Sequence, residues 1–207
     1  MIIGKWNKSV ILTYIGLIFS VCGMMLCITD KASINIVMSC LIIAGVCDMF
    51  DGFVARKCKR DEEEKDFGVQ LDSLVDSISF IAFPIVIFLK SISNNVFTII
   101  ALILFAICGI ARLAYFNIKV ENNNEPVKFY TGLPVTYTAL IFPILYLIKW
   151  LLDQNIFEIM IIANIFIVSI LNILKIKVPK PKGIAYAFFS MLAIGSLILY
   201  LGVLWDL

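Results

Sequence analysis

The stretch DMFDGFVARKCKRDEEEKDFGVQLDSLVD, residues 48–76, decides the fold and the chemistry expected of this chain. Two segments that are otherwise apolar enough to lie in a membrane end here in four aspartates: Asp48, Asp51, Asp72 and Asp76. A carboxylate at the centre of a membrane helix costs about 2.5 to 3.5 kcal/mol on insertion scales. Four of them in one place indicate a functional site, and a divalent metal site is the simplest explanation.

The composition indicates an integral membrane protein. The chain has 207 residues, of which 61% are hydrophobic and 15% charged, and its mean hydropathy is +1.00. A soluble domain of this length would expose more charge. No linker-like stretch divides the sequence, so we expect a single membrane domain over residues 1–207. The first apolar run lacks a signal-peptide cleavage pattern and is interpreted as a membrane helix.

Seven apolar runs are each about 20 residues long, which is enough to cross a bilayer. Because each run is continuous rather than alternating, the sequence predicts an all-α polytopic helix bundle. We expect about seven spans, with six or eight if one run is re-entrant or split. The runs are Val10–Ile28, Ser33–Phe53, Val69–Leu89, Val96–Phe116, Leu133–Leu152, Ile156–Leu174 and Ile184–Trp205.

The distribution of lysine and arginine predicts the orientation in the membrane. If the connection between the two acidic segments is cytoplasmic, 14 of the 17 basic residues lie on that side. The remaining three are Lys31, Lys90 and Lys149. The pattern therefore predicts a cytoplasmic amino terminus and a site that faces the cytoplasm from the cell membrane. The mixed-charge segment Lys57–Phe67 is expected to be a solvated loop.

Helical spacing brings the acids together. Asp48 and Asp51 are three residues apart and Asp72 and Asp76 are four apart, so each pair lies on one face of its helix. Helices joined by a short connection are expected to be neighbours, and their acidic faces can converge. The chain has no histidine and its six cysteines lack ligand-like spacing. Oxygen ligands favour Mg²⁺ or Mn²⁺ over Zn²⁺ or Cu²⁺.

Two functions fit a carboxylate-held cation at a membrane boundary. The first is phosphoryl transfer, in which the metal bridges a pyrophosphate and offsets the charge of the leaving group. Arg56 supports it, because a guanidinium fork suits phosphate. The second is cation transport. Transporters usually contain repeated halves or helices broken near the membrane midplane, and neither is evident in the sequence, so an enzyme is favoured.

The acidic stretch resembles the signature of the CDP-alcohol phosphotransferase family. All eight signature positions occur in order: Asp48, Asp51, Gly52, Ala55, Arg56, Gly68, Asp72 and Asp76. Eleven residues separate Arg56 from Gly68, a longer separation than is usual in the family. Members are multi-pass proteins that cleave a CDP-linked alcohol, join its phosphoryl portion to an acceptor hydroxyl and release CMP. Further stretches are similar to the phosphatidylserine synthases within the family: Phe67–Pro84, Cys108–Asn117 and Phe129–Thr136.

The resemblance implies a role for each signature residue. The four aspartates would hold two ions of Mg²⁺ or Mn²⁺, and Asp76 would also be the general base that activates the acceptor. Gly52, Ala55 and Gly68 would make room for the CDP moiety, with Arg56 near its phosphates. Near the first helix, where the family usually has an Asn and a Thr, Thr13 is the one counterpart.

The acceptor end is less defined by the sequence. Arg112 either extends along its helix to the membrane surface or binds a substrate phosphate or the serine carboxylate. Candidate residues at the rim of the pocket are Lys128, Tyr130 and Thr131. The resemblance implies CDP-diacylglycerol and L-serine as substrates, membrane lipid as surroundings, a homodimer and no nucleic-acid partner. Glycerol 3-phosphate or an inositol phosphate remains an alternative acceptor.

Overall fold

The computed structural model describes residues 4–5, 7–121, 129–179 and 183–202. Six helical spans in the described residues are long and apolar enough to cross a membrane, and a shorter apolar helix covers Val135–Leu147. The predicted all-α polytopic bundle is therefore confirmed. Its helices are α1 (Ile11–Ile28), α2 (Ile34–Lys57), α3 (Glu62–Ser77), α4 (Phe83–Ser91), α5 (Val96–Glu121), α6 (Thr138–Leu147), α7 (Gln154–Ile173) and α8 (Ile184–Gly202).

Helix α3 begins earlier than the sequence suggested. The Asp61 carboxylate accepts a hydrogen bond from the Glu64 amide at 2.7 Å, and the Glu64 carboxylate accepts one from the Asp61 amide at 3.1 Å. This capping box, with three glutamates in the first turn, favours a helix start. The expectation of a loop over Lys57–Phe67 is wrong, because the connection between α2 and α3 is only Cys58–Asp61.

Small residues allow α1 to pack closely against α2. A Cβ atom added at Gly16 would lie 3.2 Å from the Cys47 Cβ, and one added at Gly23 would lie 2.9 Å from the Cys40 Cβ. In a membrane, where helices gain little from burying apolar surface, such close backbone approach is a principal source of packing energy. The first two helices therefore form one tightly packed pair.

The third span changes its winding directly after the acidic segment. A π-helical segment, Ile78–Ala82, connects α3 to α4, and Pro84 follows it. Proline has no amide hydrogen for the carbonyl four residues earlier, which is that of Phe80. The Thr138 hydroxyl of α6 lies 3.1 Å from this oxygen and can donate to it. The same hydroxyl lies 2.7 Å from the Val135 carbonyl oxygen, so Thr138 connects the third span to the start of α6.

The core of the bundle is aromatic. The Phe142 ring of α6 makes edge contacts with Phe88 of α4, at 4.8 Å between centroids, and with Phe105 of α5, at 5.7 Å. Tyr146 and Phe157 make a similar contact at 5.2 Å, which joins α6 to α7. These rings fix the relative positions of the central helices away from the acidic segment.

A two-stranded ribbon, which the sequence did not predict, joins two distant connections. Strand β1 (Phe129–Thr131) pairs antiparallel with β2 (Lys177–Pro179), with Tyr130 opposite Val178. Gly132 follows at a φ of +77°, and a Cβ atom there would lie 2.5 Å from the Asn172 carbonyl oxygen. Glycine is therefore required where the chain turns from β1 towards α6.

We predict that Gly23→Ala destabilises the bundle. The added methyl group would clash with the Phe83 ring of α4 and with the Cys40 Cβ of α2, so both must move, and overpacking of this kind costs about 1 to 3 kcal/mol. Gly195→Ala in α8 is the matched control, because no atom lies within 4 Å of its added Cβ. Thermal unfolding in detergent should show a lower midpoint for the first variant alone. Equal midpoints for both variants would contradict the proposed close packing.

Candidate active site

A cavity of about 260 Å³ lies among α2, α3, α5, α6, α8 and the ribbon. Its walls come from both ends of the sequence, since the lining residues run from Ile42 to Ala193. Eight of the predicted site residues line it: Asp48, Asp51, Gly52, Arg56, Asp72, Asp76, Arg112 and Tyr130. The structure therefore brings the acidic pairs and both candidate arginines to one enclosed space.

The carboxylates face each other across the α2–α3 pair. Asp48 contacts Asp76, and Asp51 contacts Asp72. One oxygen each from Asp48, Asp72 and Asp76 lies within 4.8 Å of the others. Asp51 and Asp76 are only 8% and 7% exposed. Negative charges this close and this buried repel each other unless a cation lies between them, and a donor set made of oxygens fits a hard divalent ion.

Thr13 of α1 contacts the site, although it was not among the candidate site residues predicted from the sequence. Its hydroxyl donates a hydrogen bond to Oδ2 of Asp51 at 3.0 Å, and both residues are buried. A second cavity, of about 10 Å³, lies on this side of the acids and is lined by Thr13, Ser79 and all four aspartates. The close packing of α1 on α2 brings the hydroxyl within reach.

Arg112 points into the protein rather than to the membrane surface. It is 6% exposed, its guanidinium lies 5.1 Å from the Phe116 ring centroid, and it lines the large cavity. Its Nε is buried and has no hydrogen-bond partner among the described residues. Of the alternatives raised by the sequence, extension along the helix to the membrane surface is therefore not what the structure shows. An unpaired buried donor favours an anionic ligand.

Hydroxyl groups also line the cavity. Tyr130, Tyr137 and Tyr186 all line the cavity, as does Ser73. Burial raises the pKa of the Tyr130 phenol above its ordinary value, so this hydroxyl stays protonated and can donate a hydrogen bond. Ser73, which was not expected to be a ligand, donates to the Asn117 side-chain oxygen at 2.7 Å. Sequence reasoning missed Tyr186 because α8 is remote from the signature in the chain.

Three of the predicted residues that the structure describes do not line the cavity. Ala55 and Gly68 are absent from its walls because each lies one helical turn closer to the α2–α3 connection than the nearest aspartate. Thr131 follows Tyr130 in a strand, where successive side chains point to opposite faces, so it too is outside the walls. The substrate contacts expected of these three residues stay predictions. Lys128 lies outside the described residues.

Arginine side chains occupy the space beside both signature glycines. A Cβ atom at Gly52 would lie 3.5 Å from a terminal nitrogen of Arg56, and one at Gly68 would lie 3.6 Å from a terminal nitrogen of Arg60. The absence of side chains at the glycines thus lets two cations lie close to the backbone of α2 and α3. Of the two arginines, Arg56 also lines the cavity.

Three relatives show how the chain compares with characterised proteins. It is 31% identical to the archaetidylserine synthase of Methanothermobacter thermautotrophicus over 152 residues, which cover 73% of this chain and 61% of the relative. It is 36% identical to the CDP-diacylglycerol–serine O-phosphatidyltransferase of Saccharomyces cerevisiae, covering 56% and 44% of the two chains. The same-named protein of Helicobacter pylori is 30% identical, with 78% and 69% covered.

The first two of these relatives are matched over only about half of their own length. No solved structure matches the chain. The model of the CDP-alcohol phosphatidyltransferase family, in contrast, matches residues 6–204. This match spans nearly the whole sequence and includes every residue of the acidic site. The chain belongs to the CDP-alcohol phosphatidyltransferase family.

Proposed function

We propose that the protein transfers the phosphatidyl group of CDP-diacylglycerol to the hydroxyl of L-serine, which yields phosphatidylserine and CMP. The observation that carries this proposal is a cavity lined both by four carboxylates and by Arg112, whose buried Nε has no hydrogen-bond partner among the described residues. Relatives in yeast and Helicobacter pylori are named as serine O-phosphatidyltransferases. Membership of a transferase family favours this function over cation transport.

The carboxylates are proposed to hold two ions of Mg²⁺ or Mn²⁺. Asp48, Asp72 and Asp76 are suited to one ion, since their oxygens lie within 4.8 Å of each other. Asp51, in contact with Asp72, is suited to a second. When bound, such ions hold the two phosphates of CDP-diacylglycerol and stabilise the charge on departing CMP.

Asp76 is proposed to act as the general base. It is buried beside the cavity, where it can accept the proton of the serine hydroxyl. The serine oxygen then forms a bond to the phosphorus that carries the lipid, and the bond from this phosphorus to CMP breaks. The proton remains on Asp76 until it is released to water, so charge and atoms balance over the cycle.

The donor end of the cavity is proposed to lie between α2 and α3. Arg56 lines the cavity and can pair with a phosphate oxygen of the donor. Gly52 leaves the backbone of α2 open beside it. Ala55 and Gly68, one turn closer to the connection, are proposed to admit the more distant nucleoside portion of CDP-diacylglycerol.

The acceptor end favours an amino acid over a sugar phosphate. Among the described residues, Arg56 and Arg112 are the cations that line the cavity, and Arg56 is assigned to the donor. A single guanidinium matches the one carboxylate of serine, whereas a dianionic phosphate is expected to require further cations. Tyr130 and Tyr137 can donate hydrogen bonds to the same ligand. Glycerol 3-phosphate and inositol phosphate are therefore disfavoured.

We propose that the site faces the cytoplasm from the cell membrane. Residues at the end of α2, in the ribbon and at the start of α8 line the same cavity, and of the basic residues predicted to be cytoplasmic, Lys59 and Arg60 lie in the α2–α3 connection and Lys177 lies in the ribbon. CDP-diacylglycerol can then keep its acyl chains in lipid while serine enters from water. The homodimer implied by the family resemblance stays a prediction.

The proposed function is tested by an acceptor panel. Purified protein receives CDP-diacylglycerol, Mg²⁺ or Mn²⁺, and one of L-serine, glycerol 3-phosphate or an inositol phosphate. We expect CMP release and a labelled lipid with serine alone, and complete loss of both when a chelator removes the divalent ions. Transfer to a phosphate-bearing acceptor would contradict the acceptor, and activity in excess chelator would contradict the metal site.

We predict that Asp76→Asn lowers kcat for CMP release by about 100-fold or more, because the amide cannot accept the serine proton. Asp66→Asn is the matched control, since Asp66 is an exposed acid on the same helix and does not line the cavity. It should keep the wild-type rate. Substantial transfer by the Asp76 variant would exclude its role as general base.

We predict that Arg112→Lys raises the KM for serine about tenfold or more and leaves the KM for CDP-diacylglycerol unchanged. An ammonium group cannot reproduce the two-point contact of a guanidinium with a carboxylate. Lys177→Gln is the control. It removes an exposed charge from β2, outside the cavity, and both KM values should stay at the wild-type level. If instead the KM for CDP-diacylglycerol rises, Arg112 binds the donor and the acceptor assignment is wrong.

A further inference from the structure

The four aspartates are not equivalent in their surroundings. Three of them, Asp48, Asp72 and Asp76, offer oxygens that lie within 4.8 Å of one another. Asp51 is outside that group of three and instead accepts a hydrogen bond from Thr13. Its other contact within the site is Asp72. Asp51 is therefore the acid whose position depends on a residue from outside the α2–α3 pair.

We propose that Thr13 is a positioning residue for the second cation. Its hydroxyl fixes Oδ2 of Asp51, which leaves Oδ1 available for an ion shared with Asp72. This inference rests on the proposed function, because it assumes that the acids bind two divalent ions. It assigns to α1 a role in metal binding, rather than only a structural role or a contact with the nucleotide.

The chemistry of the contact supports this role. The hydroxyl of Thr13 has one hydrogen, and at 3.0 Å it is directed to the carboxylate of Asp51. A donor of this kind stabilises the ionised carboxylate, which is the form that binds a cation. Thr13 and Asp51 are 7% and 8% exposed, so bulk water cannot easily replace the lost donor. Hydrogen bonds to metal ligands typically contribute 10- to 100-fold in metal affinity.

The small cavity on the α1 side supports the same conclusion. Its volume of about 10 Å³ is close to the minimum needed by one water molecule. The cavity is lined by Thr13, Ser79 and the carboxylates, so even a single water there would meet several polar groups. A hydroxyl in this wall therefore defines the orientation of Asp51 from the side opposite the substrate cavity.

Direct titration with Mn²⁺ tests the proposal without reference to turnover. Free Mn²⁺ is followed by electron paramagnetic resonance in the wild-type protein and in Thr13→Val, which keeps the shape of the side chain and removes the hydroxyl. We expect two bound ions in the wild type. In the variant we expect one ion with unchanged affinity and one weakened about tenfold or more.

Two further variants separate a role in metal binding from a role in folding. Thr13→Ser keeps the hydroxyl and should restore both affinities, and Thr13→Ala provides the contrast with Ser if the valine variant does not fold. Thr98→Val is the matched control. Thr98 lies in the first turn of α5 and is also buried, but its hydroxyl contacts the Ser93 carbonyl rather than an acid of the site. This variant should bind both ions as the wild type does.

The outcomes distinguish this inference from the proposed function. Wild-type affinities in Thr13→Val, or equal losses in the Ser and Ala variants, would overturn the role of Thr13 and leave the transferase intact. A wild-type protein that binds a single ion yet releases CMP with serine would also overturn it. Absence of both Mn²⁺ binding and CMP release in the wild type would overturn the proposed function itself.

Discussion

Repulsion among four clustered carboxylates is the constraint on which this structure depends. Asp48 and Asp51 of α2 face Asp72 and Asp76 of α3, and Asp51 and Asp76 are buried. Apolar surroundings strengthen this repulsion, which either a bound cation or protonation of the carboxyl groups relieves. The short connection Cys58–Asp61 and its capping box keep the two helices together.

The rest of the bundle holds this pair in position and closes the space around it. Glycines on α1 allow a close approach to α2, and Thr13 can thereby reach Asp51. On the other side, the ribbon joins the connection after α5 to the connection before α8 and holds Tyr130 against the cavity. The donor end of the cavity therefore comes from adjacent helices, whereas the acceptor end is assembled from segments far apart in sequence.

This difference explains how much could be predicted from the sequence. Hydropathy is a local property, and it predicted the six long spans and the shorter apolar helix that the described residues form. Spacings of three and four residues likewise predicted that Asp48 and Asp72 lie on converging faces. Long-range contacts were not accessible in this way: neither the ribbon nor the contribution of Tyr186 has a local signal. The early start of α3 was a different case, since Asp61 and Glu64 carry the spacing of a capping box.

The same division bears on how acceptor choice is encoded. The acids proposed to act in the transfer belong to a motif within two consecutive helices. Arg112 of α5 and Tyr137 beside α6, which are proposed to bind the acceptor, line the same cavity but lie outside that motif. Addition of one cation to this wall would provide the second charge that a phosphate acceptor needs. A family that shares one reaction can therefore differ in acceptor through a few residues remote from its signature.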